Sequence, residues 1–178
     1  DYIEYQFSQM SKKYKNINEG INYYLGIWEN AISYYNDNVI LKQEVKFVCH
    51  KRLGVNTDLL EFLNPLNFVI DYKERDIGDY LKSYIINEKY TFDKLKNILN
   101  KLSHDKNDAS RLITRIMFPS FYFDKYEEII INEEDDKSIL LFNTKTDNYE
   151  DFLRFIFNYY KNLGLPYLTW LFENKKED

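Results

Sequence analysis

Cysteine, glycine and proline are scarce in this sequence. Its 178 residues include one cysteine, five glycines and three prolines. A single cysteine, Cys49, excludes an internal disulfide and leaves too few thiolates for a zinc cluster, which fits a reducing cytoplasm. We also find no low-complexity linker, internal repeat or evident boundary, so we expect one compact unit over residues 1–178.

Long apolar runs and a one-sided charge are also absent. Charges or asparagines interrupt every apolar stretch well before the roughly 18 residues that suggest a membrane span, and no signal peptide is visible. The 24 basic and 29 acidic residues give a net charge of −5, without a basic stripe. We therefore expect a soluble protein with neither a membrane nor a nucleic acid as its partner. The first residue is Asp1 rather than methionine, which fits a fragment of a longer protein.

What the sequence does contain is apolar residues at steps of three and four, the spacing of amphipathic helices. One such face comprises Tyr2, Tyr5, Gln6, Gln9 and Met10, and a longer one comprises Ile21, Tyr24, Leu25, Trp28, Ala31, Ile32 and Tyr35, with Asn18 as the expected N-cap. Three further helices are predicted over 77–86, from a Thr91 cap to Leu102, and over 109–118 up to Pro119. Two more are predicted over 121–131 and from Asp147 to Gly164 and Pro166. Glu150, three residues after Asp147, would complete a capping box at the start of the last helix.

Between the second and third predicted helices the period changes to two. Val45, Phe47 and Cys49 alternate as in a strand, and Leu66, Phe68 and Ile70 alternate again before Asp71. Two short strands therefore enclose a loop. The expected fold class is mainly α with a small β-hairpin.

This order of elements resembles the large, C-terminal lobe of a protein kinase-like fold. His50-Lys51-Arg52-Leu53 resembles the His-Gly-Asp-Leu loop of aminoglycoside and choline kinase-like phosphotransferases. Val69-Ile70-Asp71-Tyr72 resembles their Ile-Asp-Trp, and residues 75–80 resemble the Asp-Pro-x-x-Asp-Leu that opens the next helix. The resemblance implies a single kinase-like lobe, with the N-terminal lobe absent from this chain.

The same resemblance implies roles for four residues. His50 and Arg52 occupy the catalytic loop, where the family has an aspartate that takes the acceptor's proton, and a guanidinium cannot do so. Thr57 falls where the family's metal-binding asparagine stands, and Asp71 falls where its magnesium-binding aspartate stands. Both are therefore candidates for cofactor binding, and Asp71 is the candidate metal ligand. The cofactor is left open: ATP and magnesium are possible in a full-length protein, but a lone large lobe should not hold ATP well.

A narrower resemblance covers nearly the whole chain. The stretch Asn22-Tyr23-Tyr24-Leu25-Gly26-Ile27-Trp28-Glu29-Asn30-Ala31-Ile32 is similar to a helix of the spore coat kinase-like proteins, the CotS and YutH group of spore-forming Firmicutes. Ser110-Arg111-Leu112, Met117-Phe118-Pro119 and Tyr122-Phe123 are similar to a later segment of that group. The group implies synthesis in the mother cell, location in the spore coat, spore coat proteins as partners, and a catalytic loop that is often degraded.

Several of these residues also have purely structural interpretations. His50 could be a core or loop histidine that braces its surroundings, and Asp71 could cap the turn before a helix over 73–86. The charged residues around them could form an ion-pair network or be solvated surface charges, the more common case: Lys51, Arg52, Arg75 and Asp76.

Other candidates have simple structural interpretations. His104, beside Asp105, is expected in an exposed helix-capping loop. The acidic run 133–136 lacks the glycine and the spaced oxygens of a calcium loop, so a solvated turn is expected. Cys49 is expected to be a small buried hydrophobe, and the aromatic stripes are expected to be core.

Three functions fit these patterns. The first is a spore coat kinase-like protein that has lost phosphoryl transfer and works by association. The second is an active small-molecule kinase whose base comes from elsewhere, for instance Asp58 or Glu61. The third is an unrelated helical interaction domain in which the motif matches are coincidental.

Overall fold

The computed structural model describes residues 13–41, 45–87 and 91–173. Nine α-helices and a two-stranded antiparallel sheet are found in these ranges. They follow in the order α1 Lys15–Asn38, β1 Phe47–His50, α2 Leu59–Leu63, β2 Phe68–Asp71, α3 Glu74–Ile86, α4 Phe92–Leu99, α5 Lys106–Met117, α6 Ser120–Asn132, α7 Leu140–Asn143, α8 Thr146–Tyr159 and α9 Thr169–Glu173. The predicted class, mainly α with a small hairpin, is confirmed. The helix predicted from Tyr2 to Met10 lies outside the described residues.

The long helix α1 begins at a cap that the sequence analysis misplaced. Asn18 lies inside the helix and is not its N-cap. Instead, Asp136 accepts hydrogen bonds through Oδ2 from the backbone N–H groups of Asn16 and Ile17, at 2.8 and 3.2 Å. The first N–H groups of a helix have no acceptor within the helix, and here the acceptor is the carboxylate of a residue 120 positions away in the sequence. Asp136 is only 6% exposed, so the solvated turn expected over 133–136 is wrong for this residue.

The buried face of α1 is rotated from the predicted stripe. Ile21, Tyr24 and Ala31 are buried as expected, but Ile32 is 47% exposed while Ile27 is buried. Gly20 lies on the buried face against α7, where an added Cβ would stand 2.1 Å from Oδ1 of Asn143. The absence of a side chain therefore allows this close approach.

The hairpin forms where the period of two predicted it. β1 and β2 pair with Phe47 opposite Asp71, Val48 opposite Ile70, and His50 opposite Phe68. Leu66 is not in the strand but in a 3-10 turn, Pro65–Asn67, which precedes β2.

The later helices match the prediction with shifted ends. Thr91 caps α4 by accepting from the N–H of Lys94, but the helix ends at Leu99 rather than Leu102. The helix before Pro119 ends at Met117. The capping box proposed at Asp147 is wrong, because α8 begins one residue earlier and the N-cap, Lys145, makes no side-chain cap bond.

Two apolar clusters form the core. The larger comprises residues of α1, α3, α4, α5, α8 and α9, and the smaller comprises the N-terminal half of α1 with α6, α7 and the 3-10 turn Asp136–Ile139. Tyr23 and Phe121 pack against both clusters, so the two are continuous. Among the described helices, none is long and apolar enough to cross a membrane.

The residues that carry the family resemblance meet in this core. Tyr24 of α1 stacks on Tyr122 of α6 with ring centroids 4.0 Å apart. Trp28 packs edge-on against Phe118 and Phe123, at 5.8 and 5.2 Å. These aromatic stripes are therefore core, as expected, and they join α1 to α6.

Candidate functional site

His50 is the last residue of β1, and both its backbone and its ring contact neighbouring elements. Its backbone N–H donates to Oδ1 of Asp76 at 2.7 Å, and its ring Nδ1 lies 2.8 Å from Oδ2 of the same carboxylate. Ring Nε2 lies 3.1 Å from the carbonyl oxygen of Phe62, whose ring stacks on the imidazole. Both ring nitrogens therefore lie within hydrogen-bond distance of an oxygen atom. The buried His50 therefore braces the loop between the strands.

Asp71, at the end of β2, is paired with an arginine and does not cap a helix. Its Oδ2 accepts from Nη1 of Arg75 at 2.9 Å, and its Oδ1 accepts from the N–H of Tyr72. The same guanidinium donates through Nε to the carbonyl of His50 at 2.8 Å and through Nη2 to that of Lys51 at 3.2 Å. Arg75 thus joins the ends of both strands, so it and Asp76 are not solvated charges.

Arg52 lies at the mouth of a cleft. Its Nε and Nη2 donate to the two carboxylate oxygens of Asp124 in α6, at 2.5 and 2.7 Å. Both side chains are nearly half exposed. The cleft has a volume of about 320 Å³ and lies between the loop 52–57, α3 and the start of α6. A cation and its partner carboxylate therefore occupy the place where the resemblance requires a free carboxylate.

The cleft also contains a buried ion cluster. Lys82 donates through Nζ to Asp79, to Oγ of Ser120 and to the carbonyl of Phe118, all at 2.9–3.0 Å. Arg115 donates to both oxygens of Asp79, at 3.0 and 2.7 Å. The three donors of the ammonium are all used, so Lys82 fastens α3 to the start of α6 rather than presenting a free amine.

Burial and these partners shift two pKa values. Burial lowers the pKa of Lys82 to about 8, because the charged amine is taken out of water. Burial alone would raise the pKa of Asp79, but Lys82 and Arg115 outweigh it and leave that pKa below its ordinary value. In this cluster the negative charge of Asp79 is therefore stabilised by two cations, whereas burial disfavours the positive charge of Lys82.

The two residues expected to bind cofactor, Thr57 and Asp71, line different clefts. Thr57 lines the cleft, where its Oγ1 accepts from the N–H of Gly54. Asp71 has the Arg75 guanidinium on its carboxylate, where a metal cation would have to stand. Among the described residues no three His, Cys, Asp or Glu side chains are grouped as metal ligands. Magnesium at a phosphate site is bound through one or two carboxylates together with phosphate oxygens and water, and the carboxylate of Asp71 is instead paired with Arg75.

The alternative bases proposed from the sequence lie in different places. Asp58 caps α2 by accepting from the N–H of Glu61, at 2.8 Å. Glu61 lines the cleft. Asp124, which sequence reasoning missed, faces the same cleft from α6 and is held by Arg52. No local pattern identifies it, because it lies 72 residues from its partner.

His104 was wrongly placed in an exposed loop. Its side chain is 1% exposed, with Nδ1 lying 2.5 Å from the hydroxyl of Tyr160. Its Nε2 is 3.9 Å from Oε1 of the buried Glu74, and neither atom has a hydrogen-bond partner among the described residues. Asp105 does cap α5, by accepting from the N–H of Asp108. Only the cap was anticipated correctly.

Comparison with known proteins assigns the family. The family model described as spore coat putative kinase YutH matches residues 4–158. The chain belongs to this family. It is also similar to the endospore coat-associated protein YutH of Bacillus subtilis strain 168, with 26% identity over 179 residues, 88% of this chain and 52% of that relative. No solved structure gives a significant match.

Membership in the YutH family confirms the resemblance drawn from the motifs. The matched range includes α1, the hairpin, and every helix up to α8, where it ends at residue 158. The motif matches are therefore not coincidental, and the unrelated helical domain is no longer an alternative. The chain spans about half the length of the curated relative.

Proposed function

We propose that this YutH-family chain is a spore coat-associated protein with a kinase-like lobe that has lost phosphoryl transfer and works by association during coat assembly. The name of the Bacillus relative supports the location. The family description supports descent from a kinase. Spore coat proteins are the partners that this function requires.

One observation carries the loss of catalysis. Arg52 stands in the loop at the mouth of the cleft, with its guanidinium bound to both oxygens of Asp124. A general base must accept a proton from the acceptor, and a guanidinium stays protonated at every ordinary pH. The Asp124 carboxylate beside the guanidinium is therefore paired, and Asp71 is paired with Arg75.

Nucleotide binding tests the proposal. A ligand that binds the folded state raises the unfolding temperature, so ATP with magnesium would stabilise an intact site. We expect no magnesium-dependent shift for the full-length protein or for its Asp71→Ala variant. The control Asp93→Ala changes an acid in the first turn of α4. A shift that Asp71→Ala abolishes and Asp93→Ala preserves would show a working nucleotide site and contradict the proposal.

A second candidate, an active small-molecule kinase, is favoured by the carboxylates of Asp124 and Glu61 in the cleft. In that case one of them would act as the base. Activity against small hydroxylated acceptors would be lost in Asp124→Asn or in Glu61→Gln. Absence of phosphate transfer in the wild type and in Arg52→Ala, where Asp124 is released, would exclude this candidate.

A further inference from the structure

Two buried polar atoms face each other between the start of α3 and the loop that joins α4 to α5. Oε1 of Glu74 and Nε2 of His104 lie 3.9 Å apart, and the two side chains are 2% and 1% exposed. Neither atom has a hydrogen-bond partner within the part of the chain that the structure describes. Buried polar atoms are nearly always hydrogen-bonded, so this facing pair requires a physical explanation.

The other polar atom of each side chain contacts a neighbouring element. Nδ1 of His104 lies 2.5 Å from the hydroxyl oxygen of Tyr160, the residue that follows α8. Oε2 of Glu74 accepts from Nε of Arg111 in α5 at 3.3 Å. Each side chain is therefore held at one polar atom, while its second polar atom lies near the other residue without a hydrogen bond.

The gap indicates which ring nitrogen carries the proton of the neutral imidazole. A proton on Nε2 would face the Glu74 carboxylate, and charge-assisted hydrogen bonds of this kind are about 2.7–2.9 Å long. A proton on Nδ1 would instead be donated to the Tyr160 oxygen and would leave the lone pair of Nε2 opposite Oε1. Two acceptors do not bond to each other, and the separation of 3.9 Å fits this second arrangement. One added proton would therefore turn the pair into a donor and an acceptor.

The surroundings favour an uncharged pair. The charged groups that face it come from the residue before α3, from α5 and from the loop itself: Lys73, Asp108, Arg111 and Asp105. Burial raises the pKa of Glu74, whereas burial together with the two cations lowers the pKa of His104. A protonated carboxyl beside a neutral ring places no charge in the buried pair, so the added proton belongs on Glu74.

We propose that the Glu74 carboxyl binds a proton at mildly acidic pH and donates it in an O–H···N hydrogen bond to Nε2 of His104, whose ring stays neutral. The proton comes from water and adds to Oε1, and the gap closes by about 1 Å to the length of a hydrogen bond. The His104 ring then joins its loop to α3 as well as to Tyr160. This pH-sensitive contact lies one residue before Arg75, which bonds to the ends of both strands. It goes beyond the proposed function, which includes no response to pH.

Nitrogen-15 NMR of the histidine rings in the full-length protein tests this contact, with His104→Gln to assign the signal. At about pH 7.5 we expect Nδ1 of His104 to carry the proton and Nε2 to carry none. As the pH falls, the Nε2 signal should shift as this nitrogen accepts a hydrogen bond, without the full change of an imidazolium. The midpoint should lie above the ordinary glutamate pKa of 4.5.

Two variants show whether Glu74 causes the shift. Glu74→Gln should abolish the pH-dependent shift, because its amide can donate to Nε2 at every pH and does not titrate. The matched control Glu150→Gln changes another carboxylate that accepts from an arginine, Arg154, at 2.8 Å. This control should keep the shift.

Three results would overturn the proposal: a proton on Nε2 at neutral pH, an imidazolium in the folded protein at the midpoint, or a shift that Glu74→Gln retains. The first two are observed in the wild type, so they count even if the variant fails to fold. Hydrogen exchange provides a second measurement, because the amides of residues 101–104 should be more protected, relative to their intrinsic rates, below the midpoint than above it. Equal protection would contradict the contact. None of these measurements involves nucleotide, so their failure is distinguishable from failure of the proposed function.

Discussion

At the scale of single residues, the charges around the hairpin serve as structural connections. Arg75 contacts the Asp71 carboxylate and the carbonyls of His50 and Lys51, and it is mostly buried. Arg52 also binds a carboxylate with two hydrogen bonds, but that pair is nearly half exposed. Hydrogen bonds to charged groups contribute more when they are shielded from water.

The two arginines should therefore differ in their effect on stability. Arg75→Ala should lower the free energy of unfolding by about 1–3 kcal/mol, because it leaves two strand-end carbonyls and Asp71 without their donor. Arg52→Ala should cost less than about 1 kcal/mol, as for other exposed pairs. Urea unfolding at neutral pH measures both, and equal losses would show that the Arg52 pair supports the fold as well.

His104 should make stability depend on pH. Burial lowers its pKa, with Lys73 and Arg111 acting in the same direction against Asp105 and Asp108, and Glu74 faces its Nε2. The folded state therefore favours the neutral ring. In the unfolded chain the ring takes up a proton at a pH of about 6.5, so stability is lost as the pH falls through that value.

His104→Gln should remove part of this dependence. Glutamine can still bond to the Tyr160 hydroxyl but does not titrate. Between about pH 7.5 and about pH 5.5, the wild type should lose more unfolding free energy than the variant, since only the wild type contains the histidine. Parallel losses in the two proteins would mean that other groups cause the acid sensitivity.

At the scale of elements, α1 shows how a helix depends on a distant segment. Asp136 accepts from two backbone N–H groups at the helix start, and Asn143 donates through Nδ2 to the carbonyl of Asn16 at 2.8 Å. The residues before α7 therefore determine where α1 begins.

Asp136→Ala should destabilise the protein by about 1–2 kcal/mol, because it leaves buried N–H groups of Asn16 and Ile17 unpaired. The side chain of the neighbouring Asp135 is 60% exposed, and it accepts from the N–H of Lys137 at the start of the following 3-10 turn. Asp135→Ala should therefore change stability by no more than about 0.5 kcal/mol. Thermal unfolding of the two variants measures the difference, and similar midpoints would argue against the distant cap.

At the scale of the whole molecule, the two apolar clusters are bridged by partly buried aromatic side chains. Tyr23 and Phe121 touch both, and the Tyr23 hydroxyl donates to Glu150 of α8 at 3.0 Å. Two clusters that are bridged by side chains packed against both should not unfold independently.

The two tryptophans can test this cooperativity. Trp28 packs against Phe118 and Phe123, whereas Trp170 packs against the larger cluster. Variants that retain one tryptophan each, Trp28→Phe and Trp170→Phe, should show fluorescence transitions that coincide with the circular dichroism transition of the same variant. If either variant shows two separate transitions, the clusters unfold independently.

The sequence by itself determined the local features of this protein. The spacing of apolar residues indicated helices, the period of two before Asp71 indicated the hairpin, and Thr91 and Pro119 marked helix ends, because each depends on neighbours in the chain. The family motifs were also readable, since Tyr24, Trp28 and Tyr122 lie in continuous segments.

Only the tertiary structure decided which charges are paired and which apolar residues stay exposed. Asp124 with Arg52, Asp136 with α1, and the buried ring of His104 all involve partners 56 to 120 residues away. Hydrogen bonds and burial depend on distance in space, and no local pattern records that distance. The exposure of α2 has the same origin, because this helix has the composition of a core helix and yet none of its residues is buried.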